Sequence, residues 1–205
     1  MMEKKFIFSL FSSLLLLFAS IVTNFYAGNY ATRVQSNSVT DVILSNIPVF
    51  QVENLFVYGS FLFFILLLIL CLLRPKTLPF TLKSIAVFTL VRAVFISLTH
   101  IGSYPTSLTI DPLSFIHDFA FGGDLFFSGH TGLPFLMAII FWPNKYLRWI
   151  FITTSICFGA IVLMGHLHYS IDVLAAFFIS YSIAHLTKYI FQRDYLLFLS
   201  DRELF

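Results

Sequence analysis

Gly123-Asp124-Leu125-Phe126-Phe127-Ser128-Gly129-His130-Thr131 and, one apolar run later, His166-Leu167-His168-Tyr169-Ser170-Ile171-Asp172 decide the fold and the chemistry of this chain. Each places ionisable and hydroxyl side chains at the start of a segment apolar enough to lie in hydrocarbon. Ionisable groups at membrane depth are costly, and where they occur they mark function by default. Working outward from the two segments settles what kind of protein surrounds them.

Charged residues make up 11% of the 205 residues and hydrophobic ones 59%, against about a quarter charged in a soluble domain. The mean hydropathy of +0.91 agrees. An all-α integral membrane protein is the predicted class. A formal charge of +2 with no basic run excludes nucleic acid as a partner. Both cysteines, Cys71 and Cys157, fall inside apolar runs, so neither a disulfide framework nor a thiolate metal site is expected.

Six apolar runs approach the roughly 20 residues that a bilayer crossing needs: Phe6 to Ala27, Leu55 to Leu73, Phe80 to Thr99, Leu125 to Trp142, Tyr146 to Gly165 and Tyr169 to Ile190. Breakers separate them, among them Pro75, Pro79, Gly102, Pro105, Pro112, the pair Gly122-Gly123 and Pro143-Asn144. No separate soluble domain remains, so residues 1–205 read as one six-helix transmembrane domain. The first run follows a charged start and resembles a signal peptide in outline. Its length and the bulky Phe25-Tyr26-Ala27 end favour an uncleaved helix instead.

Basic residues collect on the cytoplasmic side of membrane proteins. Lys4 and Lys5 precede the first run; Arg74, Lys76 and Lys83 follow the second; Lys145 and Arg148 follow the fourth; Lys188, Arg193 and Arg202 follow the sixth or lie at its end. The alternate connections hold only Arg33. Both termini are therefore expected in the cytoplasm, and the two polar segments on one extracytoplasmic face.

Ser128, Gly129, His130 and Thr131 would then occupy the first turns of the fourth helix, where free backbone amides and the helix dipole attract an anion. Asp124 is the expected cap and a candidate substrate-binding residue, and Gly129 allows a phosphate to approach the backbone. His168 and Asp172, four residues apart, are expected on one helix face, with the carboxylate orienting the imidazole. That pairing suits an activated nucleophile, with His130 as the acid for a leaving oxygen. Arg92, within the third run, is the candidate fixed cation, and His166 is a further candidate for phosphate binding. His100, His117 and His185 read as structural, and Asp41 and Asp118 as loop polar residues. No metal and no cofactor are expected.

The segments from Gly123 to Thr131 and from His166 to Val173 resemble the paired signatures of the sphingomyelin synthases, a branch of the type 2 phosphatidic acid phosphatase superfamily. Arg92 with Thr99 resembles that branch's third-helix motif, and Asp41 to Pro48 more faintly resembles its first outer-loop motif. The resemblance implies six helices, an outward-facing site without metal, and a phosphohistidine-type mechanism. It makes His168 the nucleophile, Asp172 its orienter and His130 the acid and later base. The implied partners are a membrane phospholipid donor, such as phosphatidylcholine, and a lipid alcohol acceptor, such as ceramide. Phosphocholine or phosphoethanolamine would be transferred.

Leu167 stands where the animal sphingomyelin synthases carry Glu, a departure that bears on the head group. Val162 occupies the place of the arginine in the wider superfamily's third motif, and the Lys-rich first motif is absent, which favours the transferase-like branch. A lipid phosphatase or phospholipase C-like hydrolase on the same scaffold is the alternative. A metal-binding membrane protein using His130, His166, His168 and Asp172 is a third reading from another class; histidine-box oxygenases normally need more than the six histidines available.

Overall fold

The computed structural model describes residues 2–108 and 125–200. Within them the chain forms α1 (Met2–Arg33), α2 (Glu53–Leu73), a short 3-10 turn (Pro75–Thr77), α3 (Leu78–Leu98), α4 (Gly129–Ile140), α5 (Lys145–Met164), α6 (Ser170–Ile190) and α7 (Gln192–Leu199). No strand occurs among the described residues.

Among the described residues, five helices are long and apolar enough to cross a membrane: α1, α2, α3, α5 and α6. Their surfaces bear large exposed side chains such as Phe8, Phe18, Phe61, Leu62, Leu72 and Phe178. Hydrophobic faces turned outward on long helices suit a lipid surround.

The fourth predicted span, Leu125 to Trp142, is helical only over Gly129–Ile140. At 1.5 Å per residue that is about 18 Å, short of the roughly 30 Å of hydrocarbon. The physical reason lies at Ser128. Its backbone is extended and its hydroxyl accepts from the Thr131 amide, so it is the N-cap of α4, and Leu125 to Phe127 lie outside the helix. The cap expected at Asp124 is thus supplied by Ser128; Asp124 itself, with His117 and Asp118, lies outside the described residues. At the other end Pro143-Asn144 breaks the chain as expected, and Asn144 caps α5 by accepting from the Leu147 amide at 2.9 Å.

Helix α1 overruns its predicted bounds, reaching Arg33, and packs along α3. The seam is built from small side chains, with Ala27 and Ala31 against Ala93 and Ile96. Close backbone approach through such residues is how membrane helices associate when lipid is as apolar as their side chains. Helices α4, α5 and α6 pack together around a core that includes Phe127, Leu136, Met137, Phe141, Phe151 and Ala176. Ser155 donates to the Thr131 carbonyl at 2.7 Å and Ser180 to the Gly132 carbonyl at 2.9 Å, which fixes α5 and α6 against the first turns of α4.

At the end of the bundle where α4 and α6 begin, the connections are stitched to one another. Ser36 donates to the His100 carbonyl at 2.7 Å, Gly102 to Asn37 at 3.1 Å, Phe50 to Met164 at 2.9 Å and Leu108 to Gly165 at 3.1 Å. Gly102 is required here, because a Cβ would sit 2.3 Å from the Ser36 carbonyl oxygen.

Candidate active site

The first turns of α4 and α6 lie side by side, joined by a bond from the Ser128 amide to the Asp172 carbonyl at 3.1 Å. This contact brings the two polar segments into one site although about 40 residues of chain, mostly α4 and α5, separate them.

His168 Nδ1 lies 3.3 Å from Asp172 Oδ2, with His168 7% exposed and Asp172 fully buried. The pair forms, but not across a helix face as the four-residue spacing predicts. His168 precedes α6, whose N-cap is Tyr169, and Asp172 reaches back from the first turn. The same oxygen accepts from the Tyr169 amide at 3.1 Å. One carboxylate thus caps the helix and holds the imidazole, leaving Nε2 on the ring's far side. Asp172 Oδ1 is buried with no partner among the described residues.

Arg92 projects from α3 onto the start of α4. Its Nε donates to the Phe127 carbonyl at 3.1 Å. Its guanidinium lies so close to Gly129 that an added Cβ would stand 3.1 Å from Nε. Arg92 is six residues before the end of α3, roughly 9 Å along its axis, so the start of α4 is sunk below that end of the bundle. A short, recessed α4 therefore carries its free amides to an internal site.

His130 packs its ring on Phe56 at 4.2 Å and Phe158 at 5.8 Å between centroids. Together with Arg92 and Gly129 it lines a cavity of about 200 Å³ whose other walls include Phe63, Phe88, Leu133 and Pro134. Asn24, Ser60 and Thr89 add polar groups to this lining.

Ser128 and Thr131 are fully buried and bonded to each other, with the Thr131 hydroxyl donating to Ser128 Oγ at 3.1 Å. Their hydroxyls organise the start of α4. His166 is held by a partner outside the cluster. It follows the Gly165 C-cap with φ 53°, a left-handed conformation, and its Nδ1 is bonded to the Thr106 hydroxyl at 2.5 Å. Its Nε2 is buried without a partner among the described residues.

Asp41, read from sequence as a loop polar residue, is built into the site's support. Its Oδ1 accepts from the Ile43 and Leu44 amides at 2.8 and 3.0 Å, and its Oδ2 from the Ser170 amide and hydroxyl at 2.7 and 2.8 Å. Burial pushes the Asp41 carboxyl pKa up, but these bonds outweigh it and hold the group below its ordinary value of 3.8. Tyr169 completes the brace, donating to the Gly102 carbonyl at 2.7 Å and accepting from the Val39 amide at 3.2 Å. Among the described residues no group of three or more His, Cys, Asp and Glu side chains is arranged to hold a metal ion.

Residues 122–189 match the family described as PAP2 superfamily C-terminal. The match spans both polar segments and supports the type 2 phosphatidic acid phosphatase superfamily, whose members act on phosphate esters. No curated protein and no solved structure matches the chain.

Proposed function

We propose that this protein is a membrane lipid phosphotransferase of the sphingomyelin synthase type, moving phosphocholine or phosphoethanolamine from a glycerophospholipid to a lipid hydroxyl. The observation that carries this reading is the His168–Asp172 pair set beside the amide end of α4 and Arg92. The family match supports the phosphate-ester scaffold.

In the proposed reaction the donor phosphate sits at the Gly129 end of α4 beside the Arg92 guanidinium, where amides and fixed charge stabilise the equatorial oxygens. His168 Nε2 attacks phosphorus while Nδ1–H donates to Asp172. The bond from phosphorus to the diacylglycerol oxygen breaks, and that oxygen takes a proton from His130. An acceptor hydroxyl then gives its proton to His130 and attacks phosphorus. The P–N bond breaks, returning His168 and releasing the new phospholipid. Two displacements of modest barrier replace one of high barrier. The apolar cavity walls favour a lipid hydroxyl over water in the second step. By the distribution of basic residues the site opens on the extracytoplasmic face.

Purified protein in vesicles containing head-group-labelled phosphatidylcholine or phosphatidylethanolamine, with and without ceramide, tests the reading. Labelled sphingolipid formed only with acceptor supports transfer. Water-soluble labelled head group formed equally without acceptor would favour the hydrolase instead.

A further inference from the structure

Asn24 interrupts the apolar run of α1, and hydrocarbon offers an amide no alternative partner. The neighbouring Asn29 answers this by donating to the Phe25 carbonyl at 2.9 Å. Asn24 Oδ1 does not: it is buried with no hydrogen-bond partner among the described residues. The side chain lines the cavity that also holds Arg92 and His130. Ser60, another polar lining residue, already spends its hydroxyl on the Phe56 carbonyl at 2.6 Å. A residue of the cavity wall therefore carries a covered carbonyl acceptor that the fold leaves unpaired.

Its position is set by the α1–α3 seam. Ala27 and Ala31 pack with Ala93 and Ile96, and both helices run toward the same end of the bundle, because α2 returns the chain between them. Asn24, one turn before Ala27, thus falls near Thr89 and Arg92, which line the same cavity. A lipid whose reacting oxygen meets His130 would place its interfacial backbone at this level.

We infer that Asn24 is a specificity-determining residue that accepts a hydrogen bond from the amide N–H of the acceptor lipid's backbone. The inference rests on the phosphotransferase reading for its biological meaning and on the cavity for its geometry. The chemistry selects a class. N-acyl amino alcohols carry an amide N–H beside the reacting hydroxyl. Diacylglycerol offers ester oxygens there, which only accept, and facing Asn24 Oδ1 they leave two acceptors unpaired. A site with a buried acceptor rejects a ligand lacking the donor more strongly than an apolar pocket rejects a missing methylene.

The test separates binding from turnover. Full-length protein carrying His168→Ala, in detergent micelles, is titrated with a short-chain fluorescent ceramide, with its N-methylated analogue and with the matching diacylglycerol. Ceramide is expected to bind about tenfold more tightly than either competitor, the ratio worth one good hydrogen bond. Adding Asn24→Leu, close in shape but without the acceptor, should erase that ratio, and Asn24→Gln should restore part of it. Equal binding of the three lipids by the Asn24 protein would overturn the inference without any variant at that position. So would an unchanged preference in Asn24→Leu protein with a normal thermal midpoint. The phosphotransferase reading fails separately, if protein with His168 intact transfers no head group to any acceptor while the binding preference persists.

Discussion

Gly129 and Arg92 make the most sensitive contact in the site. A Cβ at 129 would stand 3.1 Å from Arg92 Nε, and Arg92 is held by its bond to Phe127, so the guanidinium has to shift. Alanine in place of glycine helps a helix, by up to about 1 kcal/mol in its interior. Gly129→Ala should therefore leave thermal stability unchanged or slightly higher while lowering turnover by about tenfold or more, through misplacement of the phosphate site. Equal activity in the variant would place the phosphate elsewhere. His130→Ala separates its proposed roles by leaving group. With phosphatidylcholine the loss should be about 10² to 10⁴-fold, the usual worth of a positioned acid. With p-nitrophenyl phosphocholine, whose leaving oxygen needs no proton, the first step should recover most of its rate. At this scale much was legible from sequence. His168 and Asp172 four apart, at the start of an apolar run, are paired in the structure. What spacing does not reveal is that Asp172 makes the contact as a helix cap, because a local pattern is the same whether His168 lies in the helix or just before it. Asn24 did leave a signal, a lone amide in an apolar stretch, but its open oxygen is visible only once the cavity is built.

The elements explain where sequence patterning succeeds and where it stops. Mean hydropathy follows α1, α2, α3, α5 and α6 because each contains a long stretch of high mean hydropathy with few charges. It misjudges α4, since Leu125, Phe126 and Phe127 are as apolar as the helix they precede and only the Ser128 cap separates them from it. Asp41 is illegible for a different reason. Its bonds to Ser170 join positions 129 apart in sequence, and nothing local distinguishes it from any loop carboxylate. The structure makes it a brace between the first connection and α6, two residues from Asp172. Asp41→Ala should lower the thermal midpoint, with a loss of about 1 kcal/mol comparable to removing a helix cap. Rescue by Asp41→Asn should be partial, since an amide supplies one acceptor oxygen where the carboxylate supplies two. The brace also carries a pH signature. Because the native carboxyl titrates below its unfolded value of 3.8, its contribution is present in full above that value and disappears as pH falls through the lower native one. A comparison of wild type with Asp41→Ala by thermal unfolding across this acidic range should show the two midpoints converging as pH drops. Parallel curves down to the lowest pH would show that Asp41 is not the group responsible.

At the scale of the whole molecule the two ends of the bundle are built differently. The site end is stitched by backbone bonds and the Asp41 brace, whereas the opposite end is closed by α7 through a buried charge pair. Asp194 on α7 accepts from Lys83 Nζ at 2.6 Å and also from the Ser9 hydroxyl of α1, with Phe198 packed beneath against Phe80 and Phe141. Lys83 is counted in the sequence among the basic residues that orient the chain, yet here it is buried and its charge is answered by a helix that follows the last long one. Residue counting cannot separate a free basic side chain from a paired one, because the partner lies 111 positions away. The pair stands nine residues from Arg92 along α3, about 14 Å at helical rise, so it should govern assembly and not chemistry. Removing one partner leaves an uncompensated buried charge, a loss of about 3–5 kcal/mol, whereas replacing both by apolar side chains of similar volume is often near neutral. Lys83→Met and Asp194→Leu should therefore each lower the thermal midpoint strongly, and the double variant should recover most of the loss. Turnover per folded molecule should match wild type in all three. If the double variant were as unstable as the sum of the singles, α7 would be held by packing of Phe198 and its neighbours, and the charge pair would contribute nothing specific to closing that end.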